Sequence, residues 1–333
     1  MTTIRDVANH ASVAPMTVSR VLNQPDSVSP ETRQRVEESI AALKYVPNML
    51  GQGLRKKRTM ALGLIVSDIT NPFAIQQIRG VTRAARENGY TVIFGHTESD
   101  SEEELQQLRA LIERRVDGII LSPVYNTPES VNFVQGQKLP VTVLDYPMPE
   151  NDVDVVRCDT HLAARELTDY VLDLGHRRVA MLSGDRAIVT ARERAEGFEE
   201  AMAARGYSAP VEYGHFTPES GYEMALGVLR SENRPTALVT ASNFIALGAA
   251  EAARELGLSI PEDLSIVTFD NARTDTVLDP FFTGVVQPIA EMATVATHFL
   301  LDRILQRYSG AGRDEILPTI FEVHRSTAPY GPS

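Results

Sequence analysis

At 333 residues and a net charge of −12, the chain is long enough for a small headpiece and a two-lobed body. Its single cysteine, Cys158, excludes internal disulfides and a cysteine-built zinc site. No apolar run reaches the roughly 18 residues of a membrane span and the N-terminus lacks an apolar signal core, so a soluble cytoplasmic protein is expected.

The charge is unevenly spread. Residues 1–58 hold nine basic and five acidic side chains, a net of +4, which leaves −16 for the remainder. A basic head on an acidic body suits a protein that touches phosphates at one end only.

Residues Thr3–Asn23 read T-I-R-D-V-A-N-H-A-S-V-A-P-M-T-V-S-R-V-L-N: a short helix, a tight turn and a second short helix. Thr3 is placed to cap the first helix, and Asp6 suits its positive N-terminal end. Val7, Ala8 and Ala11 make a small apolar face, Val13 bridges the turn, and Pro15 fits the first position of the second helix. Val18, Val21 and Leu22 then repeat at helical spacing. Two helices this short bury little core alone, and their usual use is to set the second one in the DNA major groove. A plain helical hairpin at the edge of a larger domain is the competing reading. Ser29-Pro30-Glu31 starts a third helix with Val36, Ile40 and Leu43 as its buried stripe. Tyr45-Val46-Pro47 ends it, and Asn48 is placed to cap a short segment, M-L-G-Q-G-L-R, before the basic run Arg55–Arg58.

From Ala61 buried strands alternate with amphipathic helices. A-L-G-L-I-V, Y-T-V-I-F, G-I-I-L-S and V-T-V-L-D read as strands, with helices near 73–88, 102–115 and 128–137. V-A-M-L-S-G, T-A-L-V-T-A and S-I-V-T-F-D form a second set, with helices near 160–174, 192–205, 219–231 and 243–257. The strand T-G-V-V-Q-P and a helix over 289–307 are expected to return to the first lobe. The fold class that follows is an all-α helix-turn-helix headpiece before an α/β body of two lobes with parallel, doubly wound sheets. No short-period repeat, low-complexity tract, G-x-G-x-x-G or Walker-type loop is present. In open parallel sheets ligands lie beyond the carboxyl ends of the strands, here the cleft between lobes. Those ends hold Asp68–Phe73, Asp145, Gly184–Arg194, Asn243 and Asp270-Asn271. They are rich in the acids, amides and arginine that pair with sugar hydroxyls or acidic small molecules.

The order T-I-R-D-V-A, T-V-S-R-V-L-N, V-S-P-E-T-R, Y-V-P-N and L-x-x-x-L-R resembles the headpiece of the lac repressor (LacI/GalR) family of bacterial transcription regulators, nearly without gaps over residues 3–58. The resemblance implies a base-reading face of Pro15, Met16 and Arg20 on the second helix. Arg20 suits a bidentate contact to guanine, while Pro15 and Met16 offer only van der Waals contact. Thr17 and Ser19 would meet phosphates, Thr3, Asn23 and Arg55 complete the DNA-binding set, and Leu54 falls on the family's minor-groove wedge. This chain departs from the pattern where Ala14 replaces the usual capping serine. It departs again at Gly51 and Gly53, which lie inside the hinge helix and cost it about 1 kcal/mol each relative to alanine.

The body resembles the family's periplasmic-binding-protein-like effector domain along its whole length: D-I-T-N-P-F, R-R-V-D-G-I-I-L, L-G-H-R-R-V-A, A-R-E-R-A-E-G-F, E-S-G-Y, A-L-G-A, I-P-E-D-L-S-I-V-T-F-D and V-Q-P. Position by position, that implies an effector pocket of Phe73, Asp145, Arg194, Phe216, Ser242, Asn243 and Asp270. Arg194 follows a glycine loop and precedes Gly197 at family spacing, which favours a pocket role over a solvated helix arginine. Asp270 is read as a ligand contact rather than a turn cap, while Phe73 and Phe216 stay open between ring stacking and plain core. Ser242-Asn243 departs from the commoner Asn-Asp, and Ala74 replaces a frequent aromatic, so no relative's effector transfers to this pocket. The implied domains are a helix-turn-helix domain over 1–46, a hinge helix and linker over 47–59, and an effector-binding and dimerisation domain over 60–333. The lobes of the last are about 60–158 with 288–307, and about 159–287 with 308–330.

An enzyme would need an activated nucleophile, a metal cluster or a cofactor loop. None is visible, and the seven histidines are scattered without an H-E-x-x-H pair. No catalytic residue, metal or cofactor is therefore assigned. A periplasmic-type sugar receptor without a regulatory role would share the body but carry a signal peptide in place of the headpiece. A ligand-responsive repressor explains both halves. Two headpieces on a two-fold homodimer would bind a near-palindromic double-stranded operator, with a sugar, sugar acid or related metabolite as effector. The terminal S-T-A-P-Y-G-P-S adds no leucine heptads, so a dimer without a tetramer helix is expected.

The two hinge glycines generate a test. Gly51→Ala combined with Gly53→Ala should tighten operator binding by roughly 1–2 kcal/mol per hinge, because less chain entropy is lost on folding. The effector response should weaken with it. Fluorescence anisotropy at fixed salt reads the change, and equal or weaker operator affinity in the double variant contradicts the hinge assignment.

Overall fold

The computed structural model describes residues 2–46, 58–125, 128–270 and 280–331, in two units, Met1–Thr59 and Met60–Ser333. The expected hinge, with Asn48, Gly51, Gly53, Leu54 and Arg55, lies outside the described residues.

In the headpiece, α1 (Ile4–His10) starts at a reciprocal capping box. Thr3 Oγ1 accepts from the Asp6 N–H at 3.3 Å, and Asp6 Oδ2 accepts from the Thr3 N–H at 2.7 Å, so two orphan donors are satisfied. The turn that follows holds Ser12 at φ 52, in the left-handed region. Helix α2 (Pro15–Asn23) starts at Ala14 with no side-chain cap, whereas α3 (Pro30–Ala42) is capped by Ser29. Val7, Ala8, Ala11, Val18, Val21 and Val36 are buried together, and a 3.0 Å bond between His10 Nδ1 and Ser39 Oγ ties α1 to α3.

Two six-stranded sheets build the body. The first contains β1 (Ala61–Val66), β2 (Thr91–His96), β3 (Gly118–Leu121), β4 (Val141–Leu144), β5 (Asp154–Cys158) and β11 (Asp314–Leu317). Its order is β11-β5-β4-β3-β1-β2, with every pair parallel. The second contains β6 (Val179–Ser183), β7 (Val211–Tyr213), β8 (Ala237–Thr240), β9 (Ser265–Phe269), β10 (Thr283–Val286) and β12 (Ile320–Glu322). Here the order is β12-β10-β9-β8-β6-β7, parallel apart from the β10–β12 pair.

Helices cover both faces of each sheet, which is why the central strands read as unbroken apolar runs. Helices α4 (Pro72–Glu87) and α11 (Ile289–Ile304) pack on Leu62, Leu64, Ile120 and Leu144 of the first sheet. On its other face α5 (Ser101–Glu113) and α6 (Glu129–Gly136) pack on Ile65, Ile119, Leu121 and Val143. Gly80 lets α4 and α11 approach closely, since a Cβ there would come within 2.7 Å of Ala293 Cβ. The second sheet is enclosed by α7 (Thr160–Asp173), α8 (Val189–Ala204), α9 (Pro218–Leu229) and α10 (Asn243–Glu255).

The chain passes between the sheets three times: from β5 to α7, from β10 to α11, and from β11 to β12. This corrects two expectations. T-G-V-V-Q-P does not return to the first lobe, because β10 pairs with β9 in the second sheet and only α11 crosses back. The stretch 308–330, expected whole in the second lobe, is divided, with β11 beside β5 and β12 beside β10. Strands β5, β7, β11 and β12 add to the expected set. They are short, carry charged residues and lie at or near sheet edges, where no continuous apolar run is needed.

Asp154 anchors the outer part of the first lobe. Its buried carboxylate accepts from Arg303 Nη2 at 2.8 Å and Arg313 Nη2 at 2.9 Å, and the Arg313 guanidinium lies 3.6 Å from the Phe299 ring centroid. Burial would raise the Asp154 pKa, but the two arginines hold it at about 2, below the ordinary 3.8. A lowered acid contributes stability above its unfolded pKa and loses it as pH falls through the folded value. Asp154→Asn should therefore cost about 3 kcal/mol at pH 7, and its difference from wild type should shrink between about pH 4 and pH 2. Urea midpoints across that range check it, and a difference that stays constant with pH contradicts the ion-pair account.

Candidate functional site

On α2, Pro15, Met16 and Arg20 are exposed, and Met16 and Arg20, four residues apart, share a face. Met16 is 52% exposed, unusual for an apolar side chain beside a small core and suited to a surface that meets a partner. Thr17 and Ser19 are half-buried. Asn23 Nδ2 donates to the Ser19 carbonyl at 2.7 Å, and Thr3 is engaged in its capping box, so both also have structural work. Leu54 and Arg55 lie outside the described residues.

In the body, the strand ends of both sheets converge. Asp145 follows β4 of the first sheet, Asp270 follows β9 of the second, and Arg194 projects from α8. Asp145 and Asp270 sit at φ 73 and φ 58, left-handed conformations that Asp adopts more readily than most other L-residues. Arg194 is 4% exposed. Its Nη1 lies 3.8 Å from Asp270 Oδ2 and donates to the Ala241 carbonyl, while its guanidinium stacks 4.3 Å from the Phe269 ring centroid. Gln287 Nε2 donates to Asp270 Oδ1 at 2.7 Å.

Burial pushes the Asp145 carboxyl up to about 7; Arg194 opposes the rise, while Asp270 and Glu193 add to it. Burial also raises Asp270, again against Arg194 and the Gln287 hydrogen bond. Cys158, at the end of β5, is pushed up to about 12 by burial, then by Asp145, so its thiol stays protonated. Asp145 Oδ1, Arg194 Nε, Asn243 Oδ1 and Gln287 Oε1 are buried without a hydrogen-bond partner among the described residues. Each such atom costs about 1–3 kcal/mol, and three of the four lie just past a strand end or at the first residue of α10.

A cavity of ≈ 630 Å³ opens between the lobes, and Asp145, Arg194, Asn243, Asp270 and Gln287 are not among the residues that line it. Asp68, His96 and Tyr125 line it from the first lobe, and Asp185, His215 and Phe216 from the second. Phe216 is the member of the expected set that lines it, and its ring covers Gly184 so closely that a Cβ there would overlap it. Ser242 is turned to a structural task, with its hydroxyl capping α10 by accepting from the Ile245 N–H at 3.3 Å. Phe73 is half-buried in the first turn of α4, where Asn71 caps its N–H at 3.0 Å, and it does not line the cavity. The strand-end rule covered Asp185, while Gln287 stood in the V-Q-P motif without a role. His96, Tyr125 and His215 lie at a strand end or in loops whose sequence gives no periodic signal.

No helix among the described residues is long and apolar enough to cross a membrane. Residues 3–48 match the family of bacterial regulatory proteins, lacI family, and residues 59–298 match periplasmic binding proteins and the sugar binding domain of the LacI family. The chain belongs to the LacI family. Catabolite control protein A of Priestia megaterium is 32% identical over 98% of this chain and 99% of its own length. The ribose operon repressor of Escherichia coli (strain K12) is 30% identical over 97% of this chain and 99% of its own. Among solved structures, the lac repressor dimer bound to operator and the anti-inducer ONPF superposes with a TM-score of 0.88 at 26% identity, covering 98% of this chain and 99% of that one. The transcriptional regulator CelR in complex with cellobiose gives 0.74 at 29% identity, covering 98% and 100%. This LacI-family protein is thus a DNA-binding transcription regulator with a two-lobed, periplasmic-binding-protein-like body. The alternative of a receptor without a regulatory role is set aside.

Proposed function

We propose that this LacI-family regulator acts as a cytoplasmic homodimer that represses a carbohydrate or small-metabolite operon, with no enzymatic step. Each headpiece sets α2 in the major groove of one half of a near-palindromic operator. Arg20 reads guanine, Pro15 and Met16 contact base edges, Thr17, Ser19, Thr3, Asn23 and Arg55 meet the backbone, and Leu54 wedges the minor groove. The solved operator complex of the lac repressor dimer supports the dimer and DNA assignments, and the CelR–cellobiose complex supports a sugar-like effector.

The observation that carries the effector reading is the inter-lobe set of unpartnered polar atoms around Arg194 and Asp270. Asp145 adds an acceptor from the first lobe, Asn243 one from the second, Phe216 walls the separate inter-lobe cavity, and Ser242 sets the start of α10. Phe73, which does not line that cavity, keeps only the role that the family resemblance implies. A ligand joining these groups favours one inter-lobe angle over another, and shifts the equilibrium only by its differential affinity for the two states.

Arg194→Ala and Asp270→Ala should each abolish the effector response in a reporter strain, with ligand affinity reduced about 5- to 150-fold or more. Operator affinity without effector should stay near wild type if the ligand is an inducer. For a corepressor, both variants should behave as the unliganded protein. An unchanged half-maximal effector concentration in both places the pocket elsewhere.

A further inference from the structure

The end of the second lobe away from the strand-end cluster carries a charge set that neither the effector site nor the headpiece uses. Arg177 and Arg178 stand just before β6, and Arg234 stands in the segment before β8, the strand beside it. The Thr236 N–H donates to the Arg178 carbonyl at 2.8 Å, so the two segments lie side by side at the amino edge of the second sheet. Arg177 and Arg178 are exposed, and Arg234 is half-buried.

Backbone carbonyls, not acids, hold two of these guanidinium groups. Arg177 Nη1 donates to the carbonyls of Leu172 at 2.7 Å and His176 at 2.8 Å, and its guanidinium carbon lies 5.5 Å from the Tyr207 ring centroid. Arg178 Nε donates to the Arg234 carbonyl at 3.0 Å, and its Nη2 donates to the Tyr330 hydroxyl at 3.4 Å. Nearby arginines are neutralised, Arg205 by Asp173 at 2.8 Å and Arg230 by Glu255 at 3.3 Å. Arg177, Arg178 and Arg234 have no acidic partner among the described residues. A guanidinium has five N–H donors, so Arg177 keeps its Nε–H and both Nη2 hydrogens, the side-on edge that fits two carboxylate oxygens at once. Arg178 keeps its Nη1 pair. Both heads are fixed before a partner arrives, which lowers the entropy lost on binding.

The surroundings select the kind of anion. Tyr207 and Tyr330, 36% and 48% exposed, stand beside Arg177 and Arg178, and exposed tyrosine next to arginine is the composition of protein–protein contacts. A long polyanion such as nucleic acid would run off the patch onto a body of net charge −16, which repels it. A lone phosphate on such exposed side chains gains little, because ion pairs in water are weak and screened. A short acidic stretch of polypeptide fits within the patch and meets several donors together. We propose that Arg177, Arg178 and Arg234 form a docking surface for an acidic segment of a partner protein, separate from both the operator-binding face and the effector site.

The test is fluorescence anisotropy of the full chain with fluorescein-labelled hexaglutamate, and with hexaglutamine as its neutral twin. Hexaglutamate should bind and should weaken severalfold between about 50 and about 200 mM salt, while hexaglutamine stays free. Arg177→Glu and Arg234→Glu should each weaken it at least about fivefold. Arg177→Lys, which keeps the charge without the side-on fork, should fall between them and wild type. Arg114→Glu, the same charge reversal at an exposed position of the first lobe, should bind as wild type does. Operator affinity and effector response should be unchanged in all four variants. The Arg234 side chain makes no hydrogen bond or ion pair among the described residues, so Arg234→Glu carries the test if Arg177→Glu lowers the thermal midpoint. Absence of hexaglutamate binding, or equal binding of hexaglutamine, overturns the inference. So does binding lost in Lys56→Glu but kept in Arg177→Glu, which puts the peptide on the basic run Arg55–Arg58. Displacement by inorganic phosphate or by duplex DNA at lower concentration than by unlabelled hexaglutamate, in the Lys56→Glu background, makes the site one for phosphate or nucleic acid and overturns it too.

Discussion

Arg194 lies out of water between the Phe269 ring and the Asp270 carboxylate, with the Asp145 carboxylate of the other lobe in its field. A guanidinium so placed costs several kcal/mol unless its neighbours offset the lost hydration. Those neighbours come from the ends of β8, β9 and β10 in the second sheet and of β4 in the first. Parallel topology brings them together, because it delivers every strand's carboxyl end to the same edge. Much of the body can be understood as the scaffold that keeps this charge set in place. Pro288 ends β10 just after Gln287, Ser242 fixes the start of α10 beside Ala241, and the left-handed backbone at Asp145 and Asp270 turns both carboxylates out of their strands.

The same arrangement explains where the body is able to move. Each lobe has its own apolar core, and only three chain segments join them. The Asp154 network with Arg303 and Arg313 stiffens the first lobe internally, joining β5, α11 and the approach to β11. The proposed function takes rotation of one lobe against the other as the coordinate that a bridging ligand biases. On that proposal, by reciprocity, the state that holds DNA changes ligand affinity by the same factor.

Much of this was legible in the amino-acid order. Pro15 after Ala14 and the Val18–Val21–Leu22 spacing gave α2 and its missing cap. The apolar runs gave the central strands because parallel strands covered on both faces need no alternation. The edge strands were not legible, since D-E-I-L and I-F-E bury almost nothing on one side. T-G-V-V-Q-P reads as a strand, but its lobe is ambiguous from sequence, because its pairing with β9 leaves no local trace. Motif position alone singles out Arg194 and Asp270, and the geometry pairs them at 3.8 Å. Ser242 was assigned a pocket role where its hydroxyl caps a helix. Gln287 stands in the V-Q-P motif and His96 at the end of β2, but neither carries a local signal of a role, and His215 lies outside the apolar runs that mark the strands.

The central claim is that one inter-lobe coordinate links effector to operator. Spin labels at Glu113→Cys and Glu232→Cys, exposed positions on the first and second lobes, report it directly, because the native Cys158 is buried. The inter-lobe distance, followed by pulsed electron resonance during titration with an effector identified by calorimetry, should shift with the same midpoint as operator affinity measured by anisotropy. A ligand that changes operator affinity while the distance distribution stays fixed contradicts the account.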